Sequence, residues 1–127
     1  MFKRFILLIA LTFATPSLAL AQSFPDFTEE SFNEALDSGQ PIVLNFYEVW
    51  CPRCSTQRRN LSGLLENEAY EDVIVLQAEF SKNRDFARSL GINGRTSLAL
   101  IVDRTLVAIE VGGTSTRVVQ ELLDQAG

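Results

Sequence analysis

Histidine is absent from the chain, cysteine occurs only twice, and acids outnumber bases by 16 to 11 over the 127 residues. Each shortage excludes something. Without histidine the commonest metal ligand is gone, and two thiolates alone cannot fill a tetrahedral zinc site. A metal held by this chain would need a second chain or a two-coordinate ion such as Cu(I). The small number of bases argues against a phosphate-binding surface, since affinity for nucleic acid comes mainly from clustered Lys and Arg. No apolar run reaches the roughly 20 residues of a bilayer span. The longest, Phe5 to Ala14, is broken only by Thr12. There is no internal repeat, no low-complexity segment and no linker long enough to divide the chain.

That apolar run follows Lys3 and Arg4 and leads through Pro16 and Ser17 to Ala19-Leu20-Ala21. Basic start, short apolar core and small-x-small end are the layout of a secretory signal peptide cleaved after Ala21. No cysteine follows the run, which excludes lipid attachment at a mature N-terminal cysteine, and no twin arginine precedes it. The expected organisation is a signal peptide over residues 1–21 and one domain over 22–127. Cleavage removes two of the 11 bases and none of the 16 acids, taking the formal charge from −5 to −7. The expected location is periplasmic or secreted, in a mature form that does not span a membrane. Both cysteines stay in the mature part, in a compartment that permits disulfides.

From there the elements alternate. Thr28 suits a helix cap, with Glu29 and Glu30 in the first turn and Gly39 as the stop. Ile42 to Tyr47 is an apolar run of strand length, expected to be buried on both faces. Leu61, Leu64 and Leu65 recur at helical spacing, so a helix is expected from about Pro52 to Asn67. Val73 to Phe80 reads as a strand and Asp85 to Leu90 as a short helix. Ser97–Val102 and Leu106–Val111 read as a hairpin turning at Asp103-Arg104. Thr114 or Ser115 caps a last helix that buries Val118, Val119, Leu122 and Leu123. A strand-helix-strand beginning requires a parallel pair, and the hairpin adds an antiparallel one. The fold class is α/β, with a mixed central sheet covered by helices on both faces.

The chemistry belongs where the buried strand meets the next helix, at Trp50-Cys51-Pro52-Arg53-Cys54. A cysteine at a helix N-terminus faces unpaired N–H groups and the positive end of the dipole, and both favour its thiolate. Pro52 suits the first helical position, and Arg53 adds a permanent positive charge within a turn of both sulfurs. Cys54 lies one turn on, along the same face, and can close a disulfide with Cys51. Cys51 is expected to be the exposed attacking thiolate and Cys54 the shielded resolving thiol. Two other readings stay open. A stapling disulfide closing about four residues contributes only roughly 2 kcal/mol, a poor return for a staple. Metal binding by Cys51 and Cys54 is the other.

The segment Val43-Leu44-Asn45-Phe46-Tyr47-Glu48-Val49-Trp50-Cys51-Pro52-Arg53-Cys54 resembles the active-site segment of thioredoxins. Asn45 with the Trp-Cys-Pro start is most similar to periplasmic thioredoxin-like reductases of the cytochrome c maturation type. Leu90-Gly91-Ile92-Asn93-Gly94, the hairpin, and Val111-Gly112-Gly113 before the closing helix follow the same pattern over essentially the whole mature chain. The resemblance implies a thioredoxin fold of four to five strands and thiol-disulfide oxidoreductase activity. It also implies no cofactor beyond the redox-active Cys51–Cys54 disulfide. Partners would be client proteins bearing disulfides or thiols, with a membrane dithiol donor resetting the pair.

Three positions depart from the family's pattern. Where thioredoxins place a cis-proline against the disulfide, this chain has Thr96, after Arg95. A cis bond before a non-proline residue costs about 2.5 to 4 kcal/mol, so this substrate loop is expected to be trans and differently shaped. In the family that proline also shields the thiols from metal. Its loss keeps a metal or iron-sulfur protein, using the same two cysteines, as the alternative. Asn45 stands where thioredoxins have a buried aspartate that helps deprotonate the resolving cysteine, and an amide cannot take that proton. Glu48 is the nearest acid in sequence. The third departure is Pro52-Arg53 in place of Gly-Pro between the cysteines. Charge that favours the thiolate stabilises the reduced form. A glutathione titration is therefore expected to give a potential less reducing than thioredoxin's approximately −270 mV; a value at or below it would refute the argument.

Overall fold

The computed structural model describes residues 24–127. The segment expected as a signal peptide, with its cleavage site at Ala21, lies outside the described residues. Among those described, no helix is long and apolar enough to cross a membrane.

The elements run in the expected order: α1 (Glu29–Ser38), β1 (Ile42–Tyr47), α2 (Pro52–Leu64), β2 (Ile74–Glu79), α3 (Arg84–Ser89), β3 (Ser97–Val102), β4 (Thr105–Val111) and α4 (Thr116–Leu123). One four-stranded sheet has the order β2-β1-β3-β4. Within it β1 and β2 are parallel, joined across α2, and the other two pairings are antiparallel. An isolated bridge from Asp26 to Gln77 extends the β2 edge without making a fifth strand.

Local chemistry explains the element ends. Thr28 and Ser31 cap α1 reciprocally, each side chain accepting from the other's backbone N–H. Gly39, at φ 73°, ends that helix in the left-handed conformation glycine adopts freely. Asp103 and Arg104 both take positive φ, the twist that a two-residue hairpin turn requires. Helix α2 is shorter than its leucine spacing suggested. It stops at Leu64, and Asn67 instead caps a single 3₁₀ turn, Glu68–Tyr70.

The period of two along the strands divides the core between the two faces. Ile42, Leu44 and Phe46 join Leu76, Ala78, Ala99 and Ile101 under α1 and α3. There Phe27 and Phe86 stack with ring centroids 4.7 Å apart. Val43 points the other way, joining Val75, Leu98, Leu100, Leu61 and Val119 under α2 and α4. Every residue of β1 except Tyr47 is buried, as expected of a strand covered on both sides. Asn45 shares the parity of Val43, so it lies on the α2 face.

Tyr70 joins the turn after α2 to the end of α4, its hydroxyl donating to the Asp124 carboxylate. That hydrogen bond, with burial, raises the phenol's pKa above its ordinary value of 10.0. A raised pKa in the folded state means a contribution fully present below pH 10 and lost as pH climbs through the folded value. Tyr70→Phe is expected to cost about 1 kcal/mol in urea unfolding at neutral pH. The gap from wild type should close above pH 10; a gap unchanged there would show that the hydroxyl is not responsible.

Candidate functional site

Cys51 caps α2 with extended backbone (φ −105°, ψ 100°), Pro52 takes the first helical position, and the Cys54 N–H points at Cys51 Sγ over 3.2 Å. The two cysteines are joined as a disulfide, with Cα atoms 5.2 Å apart. The helix terminus inferred from sequence is therefore the place where the sulfurs sit. Cys51 is more enclosed than expected. It is 6% exposed against 2% for Cys54, because the loop carrying Thr96 leans over both sulfurs.

Thr96 is buried, and its hydroxyl lies 3.1 Å from Cys54 Sγ and 3.5 Å from Cys51 Sγ. The described residues contain no cis peptide bond, so the Arg95–Thr96 bond is trans, as expected. Thr96 holds φ at 60°, and Trp50, just before the disulfide, holds φ at 63°. Left-handed conformations in a β-branched and an aromatic residue cost of order 1–3 kcal/mol each. They persist because the surroundings impose them. Among the described residues the other two non-glycine residues with positive φ form the hairpin turn, so outside that turn the strained backbone there flanks the sulfurs.

Gln57, which the sequence did not single out, holds this arrangement. Its side chain is fully buried, and Nε2 donates to the Thr96 carbonyl at 3.2 Å and the Gly113 carbonyl at 2.7 Å. Gly112 N–H closes the ring by donating to the same Thr96 carbonyl at 2.8 Å. Cys54, Gln57 and Leu61 form the buried stripe of α2. A glutamine on an otherwise apolar i, i+3, i+7 stripe was the available signal. Asn45, also fully buried, has neither amide atom hydrogen-bonded. It lies on the face where the resemblance places a proton acceptor, and it carries none.

The other expected residues divide. Arg53 is exposed and donates to the Gly112 carbonyl, so its guanidinium is engaged with that loop. Trp50 is 96% exposed beside the sulfurs. Arg95 lines a cleft with Val49, Phe80 and Arg84. Glu48 is tied back: its carboxylate accepts from Ser81 N–H at 2.5 Å and Ser81 Oγ at 3.3 Å, joining the end of β1 to the loop after β2. Among the described residues no three Cys, Asp or Glu side chains converge as a metal-binding group.

Residues 23–125 match the thioredoxin family. The chain belongs to that family. It is 27% identical over 90 residues to a thioredoxin of Aspergillus fumigatus, covering 71% of this chain and 82% of the relative. It is 23% identical over 93 residues to mitochondrial thioredoxin-3 of Saccharomyces cerevisiae, covering 73% and 72%. The crystal structure of Trxlp from Edwardsiella tarda superposes with a TM-score of 0.73 at 26% identity, over 80% of this chain and 98% of that one. Family membership with the Cys-x-x-Cys pair in place makes this chain a disulfide oxidoreductase of the thioredoxin fold.

Gln57→Leu removes the donor from two carbonyls while keeping the stripe filled. It is expected to cost about 1–3 kcal/mol in urea unfolding, because the Gly113 carbonyl loses its donor while the Thr96 carbonyl keeps the Gly112 N–H. A change below about 0.5 kcal/mol, the scatter of an ordinary surface substitution, would show that the loops hold without it.

Proposed function

We propose that the mature chain, residues 22–127, is an exported oxidoreductase that exchanges disulfides with particular client proteins in the periplasm. Cys51 is the nucleophile and Cys54 the resolving thiol. The observation that carries the reading is the pair's placement. Cys51 caps the helix that Cys54 lies one turn into, both sulfurs face the Thr96 hydroxyl, and fully exposed Trp50 stands alongside. The basic start, short apolar run and Ala19-Leu20-Ala21 support export.

In the reducing direction the Cys51 thiolate attacks a client disulfide, forming a mixed disulfide and expelling one client thiolate. Cys54 then attacks Cys51 Sγ and the second client thiolate leaves. The pair has given up two electrons and, after the client thiolates are protonated, two protons. The Cys54 N–H and the Thr96 hydroxyl are positioned to donate to sulfur while it carries charge. Asn45 cannot take the proton from Cys54, so that proton leaves to water or to the departing client sulfur. A membrane dithiol donor returns two electrons, and no cofactor beyond the disulfide is needed.

Thr96 occupies the place of the family's cis-proline, and its trans, left-handed backbone supports a narrower client range than a general thioredoxin's. Trp50, Pro52 and Arg53 support the thiolate and the docking face; Arg95 and Thr96 form the client loop.

The deciding experiment uses the mature protein purified anaerobically, assayed for reduction of a protein disulfide with dithiothreitol as electron source. Turnover is expected in the wild type and none in Cys51→Ser, while Cys54→Ser should accumulate mixed disulfides that a reductant releases. Stoichiometric metal with visible absorption and no turnover would overturn this reading in favour of a metal or cluster binder using the same cysteines.

A further inference from the structure

The described residues carry nine Lys and Arg against 16 Asp and Glu, yet the lining of two clefts beside the disulfide holds Arg58, Arg84 and Arg95 against Glu48 alone. Two shallow clefts meet at Glu48 and Val49. One runs along Tyr47, Trp50, Pro52 and Arg58. The other is bounded by Phe80, Arg84 and Arg95. The Arg58 guanidinium lies over the Tyr47 ring, 5.9 Å from its centroid, and that of Arg84 over Phe80 at 5.8 Å. A cation–π contact holds each guanidinium near its ring without using its N–H fork. Burial, with the carboxylates of Asp26 and Glu79, pushes the Tyr47 phenol's pKa up, so that ring remains a neutral platform.

The acidic side chain lining both clefts, Glu48, is already engaged with Ser81. Among the described residues the ion pairs are Lys82 with Glu79 and Arg104 with Asp37, so Arg58, Arg84 and Arg95 are in none. Three guanidiniums without a carboxylate partner thus stand around exposed Val49 and Trp50, on a chain otherwise rich in acid.

We propose that these clefts select clients whose reactive disulfide is flanked by acidic residues. Arg58 takes a carboxylate on one side of Val49, and Arg84 and Arg95 take carboxylates on the other. Trp50 and Val49 contact the apolar part of the client between them. The inference rests on the oxidoreductase reading and adds the chemistry of its partner. Opposite charge steers encounter and holds register, and its effect falls as salt screens it. A client with basic flanks meets like charge on both sides.

The test uses the full mature protein, reduced with dithiothreitol and desalted. It is mixed with three peptides that each contain one internal disulfide and differ only in flanking Glu, Gln or Lys. The single Trp50 supplies the stopped-flow fluorescence signal. Exchange is expected in the order Glu, Gln, Lys, with Glu about tenfold faster than Lys at low ionic strength and the ratio shrinking in about 0.5 M salt. The pair of substitutions Arg84→Glu and Arg95→Glu should erase or invert that ratio. Arg58→Glu should lower it independently, which keeps the test open if the double variant does not fold. A wild-type ratio near one at low salt, or a ratio that survives charge reversal in a folded variant, would overturn the proposal. Failure to react with any of the three peptides would instead refute the oxidoreductase reading beneath it.

Discussion

One buried amide connects everything near the sulfurs. Gln57 sits a turn below Cys54 on the inward stripe of α2, and its Nε2 holds the carbonyls of Thr96 and Gly113 together. Those carbonyls belong to two loops far apart in sequence, one before β3 and one after β4. Joined to α2 by a single side chain, they form a collar around the disulfide. Thr96 keeps a left-handed backbone against the sulfurs with its carbonyl held by Gln57 and the Gly112 N–H. The Nε2 end of the amide is satisfied by these carbonyls next to the reacting atoms, while its Oε1 has no hydrogen-bond partner among the described residues.

Asn45 presents the opposite case. Like Gln57 it is a fully buried amide on the α2 face, but neither of its polar atoms is hydrogen-bonded. A buried amide without partners weakens the fold. Its position, on the face where a thioredoxin carries an ionisable acid, makes chemistry rather than packing the relevant consideration. An amide there takes no proton, and the groups beside the sulfurs are the Cys54 N–H and the Thr96 hydroxyl.

Charge on this molecule is also arranged locally. The acids that give the chain its net negative charge are concentrated on α1 and on the segment after α2. Arg58, Arg84 and Arg95 line the clefts beside the disulfide, two of them near aromatic rings. Net charge therefore describes the protein's solubility, and the local arrangement describes what it can approach.

Much of this was legible along the chain. The apolar run from Ile42 to Tyr47, the cap at Thr28, a last cap at Thr114 or Ser115, the turn at Asp103-Arg104 and Cys51-Pro52 opening a helix are all encoded within a few residues. Local steric preference and apolar periodicity are sufficient for them. The leucine spacing that overextended α2 misled because Leu65 packs on the same core from beyond the helix end. By itself, then, the sequence determined the element order, the mixed sheet and the cysteine at a helix start. The tertiary structure decided that Thr96 covers both sulfurs and encloses Cys51, that Gln57 joins the loops, that Glu48 is tied to Ser81 rather than free, and that Arg58, Arg84 and Arg95 share a surface. The hydrogen bonds among these link residues 33 to 56 positions apart, and only the folded sheet brings such residues together.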